Sequence, residues 1–143
     1  EEANRRVFRA LDLEGREGDM INSYSEGMKQ KVVIISAIMH RPELLVLDEP
    51  LSDLDPKSAR IVKDLLRQLA SQGVTAIIST HVLEIAQAMC DRIAIMYEGR
   101  LLALGTIKEL RQRAKMPESG LEDIFLKLTG TEDTRPIVEA LLK

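Results

Sequence analysis

Residues 44–50 read Leu-Leu-Val-Leu-Asp-Glu-Pro. The four apolar residues form a short continuous run, which is typical of a central parallel strand covered by helices on both sides. Asp48 and Glu49 follow directly, so two carboxylates stand at the carboxyl end of this strand. Because side chains alternate along a strand, these neighbours can serve two separate targets, such as a metal ion and a water molecule. The stretch predicts an α/β fold with reactive carboxylates at one edge of its sheet.

The pattern downstream indicates a second strand reached through a helix. Asp55 and Pro56 read as an N-cap followed by proline at the first helical position, and apolar residues then recur at helical spacing until Gly73. Residues 74–79 form a second β-branched run, and a short helix is expected over residues 82–90. The order strand, helix, strand, helix predicts a parallel crossover.

Further elements are predicted on both sides of this core. Residues 3–11 have the spacing of a short helix, and residues 25–40 that of a longer one. The longer helix is apolar nearly all round, so we expect it to be buried on most faces. Residues 92–104 read as a hairpin that turns at Glu98 and Gly99 and makes the sheet mixed at one edge.

The last third of the sequence is predicted to be helical. Capping boxes begin at Thr106 and Ser119, each with a glutamate three residues later, and each predicts the start of a helix. Residues 131–136 are polar enough to be a mobile connection to a last helix.

Composition excludes several classes of protein. The net charge is -3, with 20 basic and 23 acidic residues well mixed along the chain, and only 3% of residues are aromatic. Both facts argue against a nucleic-acid surface. The longest mainly apolar run, residues 32–39, is far shorter than the ~20 residues that span a bilayer, and the acidic start does not resemble a signal peptide. We expect a soluble chain, and the single Cys90 fits a reducing compartment.

Residues 24–28 read Tyr-Ser-Glu-Gly-Met at the start of the predicted helix 25–40. Ser25 is the expected N-cap, and its hydroxyl and the amide of Gly27 lie at the positive end of the helix, where a phosphate binds favourably. The alternative is an ordinary capped helix after a turn.

Two more short motifs follow the predicted strands. Residues 52–55 read Ser-Asp-Leu-Asp, and Ser-Thr-His follows the second apolar run at residues 79–81. The simplest interpretation of Asp53 is a solvated loop carboxylate. The simplest interpretation of His81 is a structural residue. Histidines and the lone cysteine do not have the spacing of a zinc site, and no nucleophile-elbow pattern supports acyl transfer.

The order and spacing of these four elements resemble the ATP-binding-cassette (ABC) ATPase family over nearly all of the chain. The resemblance makes residues 24–28 the signature loop, with Glu26 in place of the family's usual first glycine. Residues 44–49 then resemble the Walker B motif, in which Asp48 reaches Mg²⁺ directly or through water and Glu49 is the catalytic base. Residues 52–55 resemble the D-loop, comprising Ser52, Asp53 and Asp55, and His81 resembles the switch histidine.

This resemblance implies a fold and a division of the chain. The expected architecture is a partial P-loop NTPase-like core with parallel central strands, an edge hairpin, part of the helical signature subdomain and C-terminal helices. Residues 1–40 would belong to the helical subdomain, 41–105 to the C-terminal half of the ATPase core, and 106–143 to a helical tail. Residues 119–130 resemble the tail of cassettes that pair with exporter permeases for drugs, lipids or polysaccharides.

It also implies an activity and partners. ATP and Mg²⁺ are the implied cofactors, and two cassettes are expected to sandwich two ATP molecules, with Ser25, Gly27 and Met28 acting on the partner's ATP. A transmembrane permease is the other implied partner, which places the protein in the cytoplasm, peripheral on the inner face of the membrane. No G-x-x-x-x-G-K-[ST] phosphate loop occurs in the 143 residues, so the chain resembles a C-terminal portion and is expected to be inactive alone.

Two alternatives remain open from the sequence. One is a non-transport ATPase of the same group, acting in DNA maintenance or translation, although the balanced charge and the absence of heptads disfavour it. The other is a non-catalytic fragment that only dimerises or docks. A sheet without its phosphate-loop strand would expose an edge or face, so a self-paired or swapped dimer is also expected.

Overall fold

A computed structural model describes residues 2–131 and 135–141, apart from the side chains of residues 2–4, 7 and 135–137. The chain forms two compact units, Glu1–His81 and Val82–Lys143. The first unit contains α1 (Glu2–Ala10), a 3₁₀ turn (Ile21–Ser23), α2 (Glu26–Met39), β1 (Leu44–Asp48), α3 (Pro56–Ser71) and β2 (Thr75–Ser79). The second contains α4 (Leu83–Met89), β3 (Ile93–Tyr97), β4 (Arg100–Gly105), α5 (Ile107–Ala114), α6 (Leu121–Thr129) and α7 (Arg135–Leu141).

The parallel crossover predicted from the sequence is confirmed in the first unit. Strands β1 and β2 pair in parallel, with Leu44 opposite Thr75 and Asp48 opposite Ser79. Helix α3 connects them and packs against β2. Because the strands run in the same direction, their carboxyl ends meet at one edge, and the residues that follow Asp48 and Ser79 are brought together there.

Helix α3 begins and ends as its local sequence predicts. The Asp55 carboxylate accepts a hydrogen bond from the Ser58 amide at 2.9 Å, and Pro56 occupies the first turn. Val62 and Leu66 are buried on its inner face. The helix stops at Ser71, after which Gly73 adopts a φ of 95° that other residues rarely reach.

The predicted burial of α2 on most faces is wrong for this chain. The helix buries Lys31, Ile34 and Ile35, whereas Val33 is 58% exposed. Apolar composition shows that a face can be buried, but burial itself requires another element to pack on it. The described part of the chain covers one side of α2 only.

Strand β1 shows the same departure from expectation. Leu45 and Leu47 are buried, while Leu44 and Val46 on the opposite face are 53% and 71% exposed. Ile77, the partner of Val46 on β2, is also exposed. The expected helix layers on both faces are therefore not present in the described residues, and one face of the strand pair carries exposed apolar side chains.

The hairpin predicted for residues 92–104 is confirmed in the second unit, but over the residues that the structure describes it does not extend the sheet of β1 and β2 as expected. Strands β3 and β4 pair antiparallel from Ile93 opposite Gly105 to Tyr97 opposite Arg100, with a bulge beside Ile95. Among the described residues they form a two-stranded sheet separate from β1 and β2, so the prediction of one mixed sheet is wrong. Strands β3 and β4 pair with each other, and helix α5 of their own unit packs on β4.

The core of the second unit lies between this hairpin and helices α5 and α6. Its fully buried members include Leu110, Leu121 and Ile124, with Ile95 and Ala103 contributed by the strands. These aliphatic side chains come from elements close in sequence, so the unit can bury its apolar surface largely through local contacts.

One of the two predicted capping boxes is confirmed. Thr106 accepts from the Glu109 amide at 3.2 Å, and the Glu109 carboxylate accepts from the Thr106 amide at 2.7 Å. The box at Ser119 is wrong because α6 begins one residue later, with Gly120 as its N-cap and no side-chain cap there. Instead, the Leu121 amide donates to the Gln87 side chain of α4 at 2.7 Å, a contact made between helices.

Two expectations about organisation stay predictions. The subdomain boundaries at residues 40 and 105 are not tested by the division into two compact units. Within the polar stretch 131–136, residues 132–134 lie outside the described residues, and the last helix, α7, begins at Arg135. No helix in the described ranges is long and apolar enough to cross a membrane.

Candidate functional site

Two carboxylates lie at the edge where β1 and β2 end. Asp48 is the last residue of β1, is solvent-exposed, and accepts a hydrogen bond from the Ser79 hydroxyl on β2. Glu49 follows, and its amide donates to the Ser79 carbonyl at 3.0 Å, which continues the strand pairing by one residue. The parallel register therefore places the end of β2 directly beside both acids.

The Glu49 carboxylate is held by the segment that follows β2. One oxygen accepts from the His81 amide at 2.8 Å and lies 2.7 Å from His81 Nδ1; the other accepts from the Thr80 hydroxyl at 3.2 Å. Glu49 has a φ of 44°, a left-handed conformation that costs on the order of 1 kcal/mol for a residue with a side chain. Three hydrogen bonds to one side chain offset this cost and fix its direction.

These contacts also determine the charge of Glu49. Hydrogen bonding from the His81 side chain is the largest influence and lowers the pKa of Glu49; burial opposes it, and the His81 amide and the Thr80 hydroxyl assist. The group is therefore ionised at neutral pH. An ionised carboxylate is the form that can accept a proton from water.

A second cluster forms around the start of α2. Ser25 is the N-cap, and its hydroxyl accepts from the Met28 amide at 3.3 Å. Tyr24 is buried and donates from its hydroxyl to the Arg16 carbonyl at 2.5 Å, which anchors the loop before the helix. The helix start lines an open cleft of about 400 Å³. The cleft residues are Ser25, Glu26, Gly27, Met28, Lys31, Asp53 and Asp55.

Gly27 is required by a close approach of the loop 52–55. A Cβ atom at Gly27 would lie 2.5 Å from the Asp53 carbonyl oxygen, a distance that real Cβ atoms essentially never show. Asp53 itself has a φ of 53°, and the Ser52 hydroxyl donates to its carboxylate at 3.2 Å. The structure thus brings the predicted residues of the helix start into one cleft with Asp53 and Asp55, whereas Ser52 does not line it and donates to the Glu49 carbonyl. Asp48, Glu49 and His81 form another cluster.

A family model described as "AAA domain, putative AbiEii toxin, Type IV TA system" matches residues 6–86, more than half of the chain. The chain is 36% identical to the linearmycin resistance ATP-binding protein LnrL of Bacillus subtilis, over 87% of its own length. It is also 36% identical to a fluoroquinolones export ATP-binding protein of Mycobacterium tuberculosis, over 73% of its length. A solved structure, the ATP-binding subunit of an ABC transporter, matches 89% of the chain with a TM-score of 0.84 and 31% identity.

The chain belongs to this AAA-domain family, and its homologues are ABC transporter ATP-binding proteins. The fold is accordingly that of the P-loop NTPases, as the sequence predicted. The chain spans 43% of the length of LnrL, 35% of the fluoroquinolones export protein and 54% of the solved ABC subunit. ABC ATP-binding proteins are ATPases.

Glu26, at the position where the family resemblance leads us to expect a glycine, is paired with a nearby positive charge. The Glu26 side chain is exposed and forms an ion pair with Lys29 at 2.7 Å, three residues along the same helix. A lone carboxylate at a phosphate-binding helix start would repel an anion. Lys29 reduces that repulsion by supplying a positive charge beside it.

Two residues near the site were not found by sequence reasoning. Lys31 is only 7% exposed, and its Nζ lies 3.1 Å from the Asp55 carboxylate. Gln30 donates to the Glu49 carbonyl at 3.4 Å. A signal for Lys31 was present, because it lies three and four residues before Ile34 and Ile35 and so shares their buried face.

His81→Ala is expected to lower ATP turnover in the full-length protein without unfolding it. The His81 ring is 79% exposed, so its loss leaves no cavity, but it removes the side-chain contact that orients Glu49. We expect turnover to fall about tenfold to a hundredfold, because orientation of a base is worth this much. Steady-state ATPase assays and circular dichroism measure the two properties. The exposed His40→Ala is the control, and an unfolded His81→Ala protein would favour a structural role instead.

Proposed function

We propose that these 143 residues form part of the ATP-binding and hydrolysing subunit of an ABC transporter, which couples ATP hydrolysis in a cassette dimer to transport by a membrane permease. The observation that carries the proposal is the Glu49 carboxylate, ionised and held by Thr80 and His81 beside Asp48 at the end of β1. The homology to ABC transporter ATP-binding proteins supports it.

Glu49 has the role of general base in this proposal. Its fixed carboxylate polarises a water molecule for attack on the terminal phosphate and accepts the proton that the water loses. His81 orients Glu49 through Nδ1. When Nδ1 donates to Glu49, Nε2 can donate to a phosphate oxygen only in the doubly protonated ring, so a direct contact between His81 and phosphate requires the charged form of His81.

Asp48 has the role of metal residue for Mg²⁺. Magnesium is usually held by one or two carboxylates, waters and substrate phosphates rather than by a complete protein cage. The donor set fits in that Asp48 is an exposed carboxylate at the end of β1. When bound, Mg²⁺ supplies charge neutralisation of the phosphates.

Ser25, Gly27 and Met28 are proposed to bind the ATP held by a second cassette. They lie at the positive end of a 14-residue helix, whose first amides have no partner within the helix and favour an anion. Ser52, Asp53 and Asp55 then form the D-loop, of which Asp53 and Asp55 line the same cleft. A homodimer places this cleft of one copy against the nucleotide of the other.

The other proposed partner is a transmembrane permease of the exporter type, which would hold the subunit on the inner face of the cell membrane. The support comes from relatives: LnrL is named for linearmycin resistance, and another relative for fluoroquinolones export. The tail residues 119–130 contain all of α6, which packs within the second unit as expected for a structural helix.

The proposal is tested by ATP turnover of the full-length protein with its permease in lipid vesicles. We expect hydrolysis that requires Mg²⁺, rises more than linearly with protein concentration because two copies form each site, and increases in the presence of the permease. The 143-residue chain alone should hydrolyse no ATP, because it contains no phosphate loop. A full-length protein with no Mg²⁺-dependent turnover would contradict the proposal, and turnover stimulated by nucleic acid instead of permease would favour a non-transport ATPase.

A further inference from the structure

We propose that Lys31 is a positioning residue that locks the start of α2 to the loop 52–55, so that the two clusters of the candidate site move as one unit. This inference deepens the proposed function and rests on it for its catalytic consequence. The lock itself is a property of the first compact unit and can be tested without activity.

The first part of the lock is a lysine withdrawn from solvent. The Lys31 side chain is 9% exposed and its Nζ lies 3.1 Å from the Asp55 carboxylate, which is about half exposed. A charged ammonium loses hydration on burial, so it is stable there only with an opposite charge close by. Asp55 supplies this charge, and Lys31 therefore binds α2 to the residue that precedes α3.

The second part of the lock fixes Asp55 from the other side. Its carboxylate accepts from the Ser58 amide at 2.9 Å and from the Ser58 hydroxyl at 2.6 Å, and Ser58 is 1% exposed. These bonds and the Lys31 ion pair lower the pKa of Asp55, with the Ser58 hydroxyl as the largest influence. Asp55 is thus a charged bridge between α2 and the first turn of α3.

The third part of the lock is the close packing of backbones beside this ion pair. The missing side chain of Gly27 allows the Asp53 carbonyl to approach the first turn of α2. Gly27 and Lys31 are four residues apart and so lie on the same face of the helix. One helix face therefore contacts both ends of the segment from Asp53 to Asp55.

The lock extends to the catalytic carboxylate through its backbone. The Glu49 carbonyl accepts from the Ser52 hydroxyl at 2.9 Å, from the Ser52 amide at 3.2 Å and from the Gln30 side chain of α2 at 3.4 Å. A shift of α2 would consequently displace both the loop and the turn that carries Glu49. A contact between the start of α2 and one ATP is therefore linked to the position of Glu49, which acts on the other ATP.

Amide hydrogen exchange tests the lock directly in the full-length protein. In Lys31→Met, which keeps length and loses charge, we expect exchange at the Ser52 and Met28 amides to accelerate about tenfold, while the interior amide of Leu66 in α3 is unchanged. Unchanged exchange at Ser52 and Met28 in a folded Lys31→Met protein would overturn the inference. Ile34→Val is the matched control on α2, since it removes one buried methylene without touching the ion pair.

Kinetics test the consequence for catalysis. Lys31→Met should lower kcat about tenfold and leave KM for ATP within twofold. The substitution disturbs the position of the loop 52–55 and of Glu49, whereas the binding of the chain's own nucleotide is retained. Lys31→Arg, which keeps the ion pair, should restore most of kcat. An equal loss of kcat in Ile34→Val would mean that general destabilisation explains the effect and would overturn the inference.

A second variant covers the case in which Lys31→Met does not fold. Asp55→Asn keeps a cap acceptor for Ser58 but removes the charge opposite Lys31, and it should reproduce the faster exchange and lower kcat. Wild-type values in a folded Asp55→Asn protein would overturn the inference. A wild-type protein without any turnover contradicts the proposed function instead, and the exchange measurement still decides the lock.

Discussion

Glu49→Gln is expected to reduce ATP turnover of the full-length protein by about a hundredfold or more and to trap ATP in the bound state. An amide at this position cannot accept a proton from water, whereas it preserves the size of the side chain. The amide oxygen can still accept from the His81 amide, and the Thr80 hydroxyl can accept from the new NH₂ group, so the local structure should persist. The loss should therefore fall on kcat and not on folding.

Single-turnover and steady-state assays, with quantification of retained nucleotide, measure this effect. Glu43→Gln is the matched control, because Glu43 is an exposed glutamate just before β1 and makes the same change of charge. A Glu49→Gln protein whose turnover stays within threefold of wild type would remove Glu49 from the role of base. The proposed function would then require another proton acceptor.

Gly27→Ala is the second change with a large expected effect, and the sign of its effect on the free energy of unfolding is informative. Replacing glycine by alanine within a helix ordinarily stabilises it by up to about 1 kcal/mol. Here the new methyl group would lie 2.5 Å from the Asp53 carbonyl oxygen, so α2 or the loop 52–55 must shift. Overpacking of this kind costs about 1–3 kcal/mol, which outweighs the gain in helix propensity.

We expect Gly27→Ala to leave ATP binding by the same chain unchanged. Dimer-dependent turnover should fall about tenfold to a hundredfold, because a shift near 1 Å at a contact with the partner's nucleotide has effects of this size. ATP titration separates binding from turnover. Gly18→Ala is the control, since a Cβ there meets nothing within 4 Å. A Gly27→Ala protein with normal turnover would reject both the signature role and the need for close approach.

Much of the fold could be predicted because its signals are local. The Asp55 cap, Pro56 and the stop near Gly73 define α3 within a few residues of each end. The hairpin turn was signalled by Gly99, because glycine readily adopts the positive φ that both Glu98 and Gly99 have here. In the candidate site, the order of the motifs indicated which residues to examine, and the structure brings them into two clusters. Their roles in catalysis stay predictions.

The sequence alone determined the elements, their order, the helix caps made by neighbouring residues and the family resemblance, because each depends on residues close together in the chain. Only the tertiary structure decided which faces meet. It joined Glu49 to His81 across 32 positions, paired Lys31 with Asp55, replaced the expected Ser119 cap with Gln87, and left Val46 exposed. The physical reason is that burial and long-range hydrogen bonds depend on packing between elements, and local periodicity does not specify which element covers a given face.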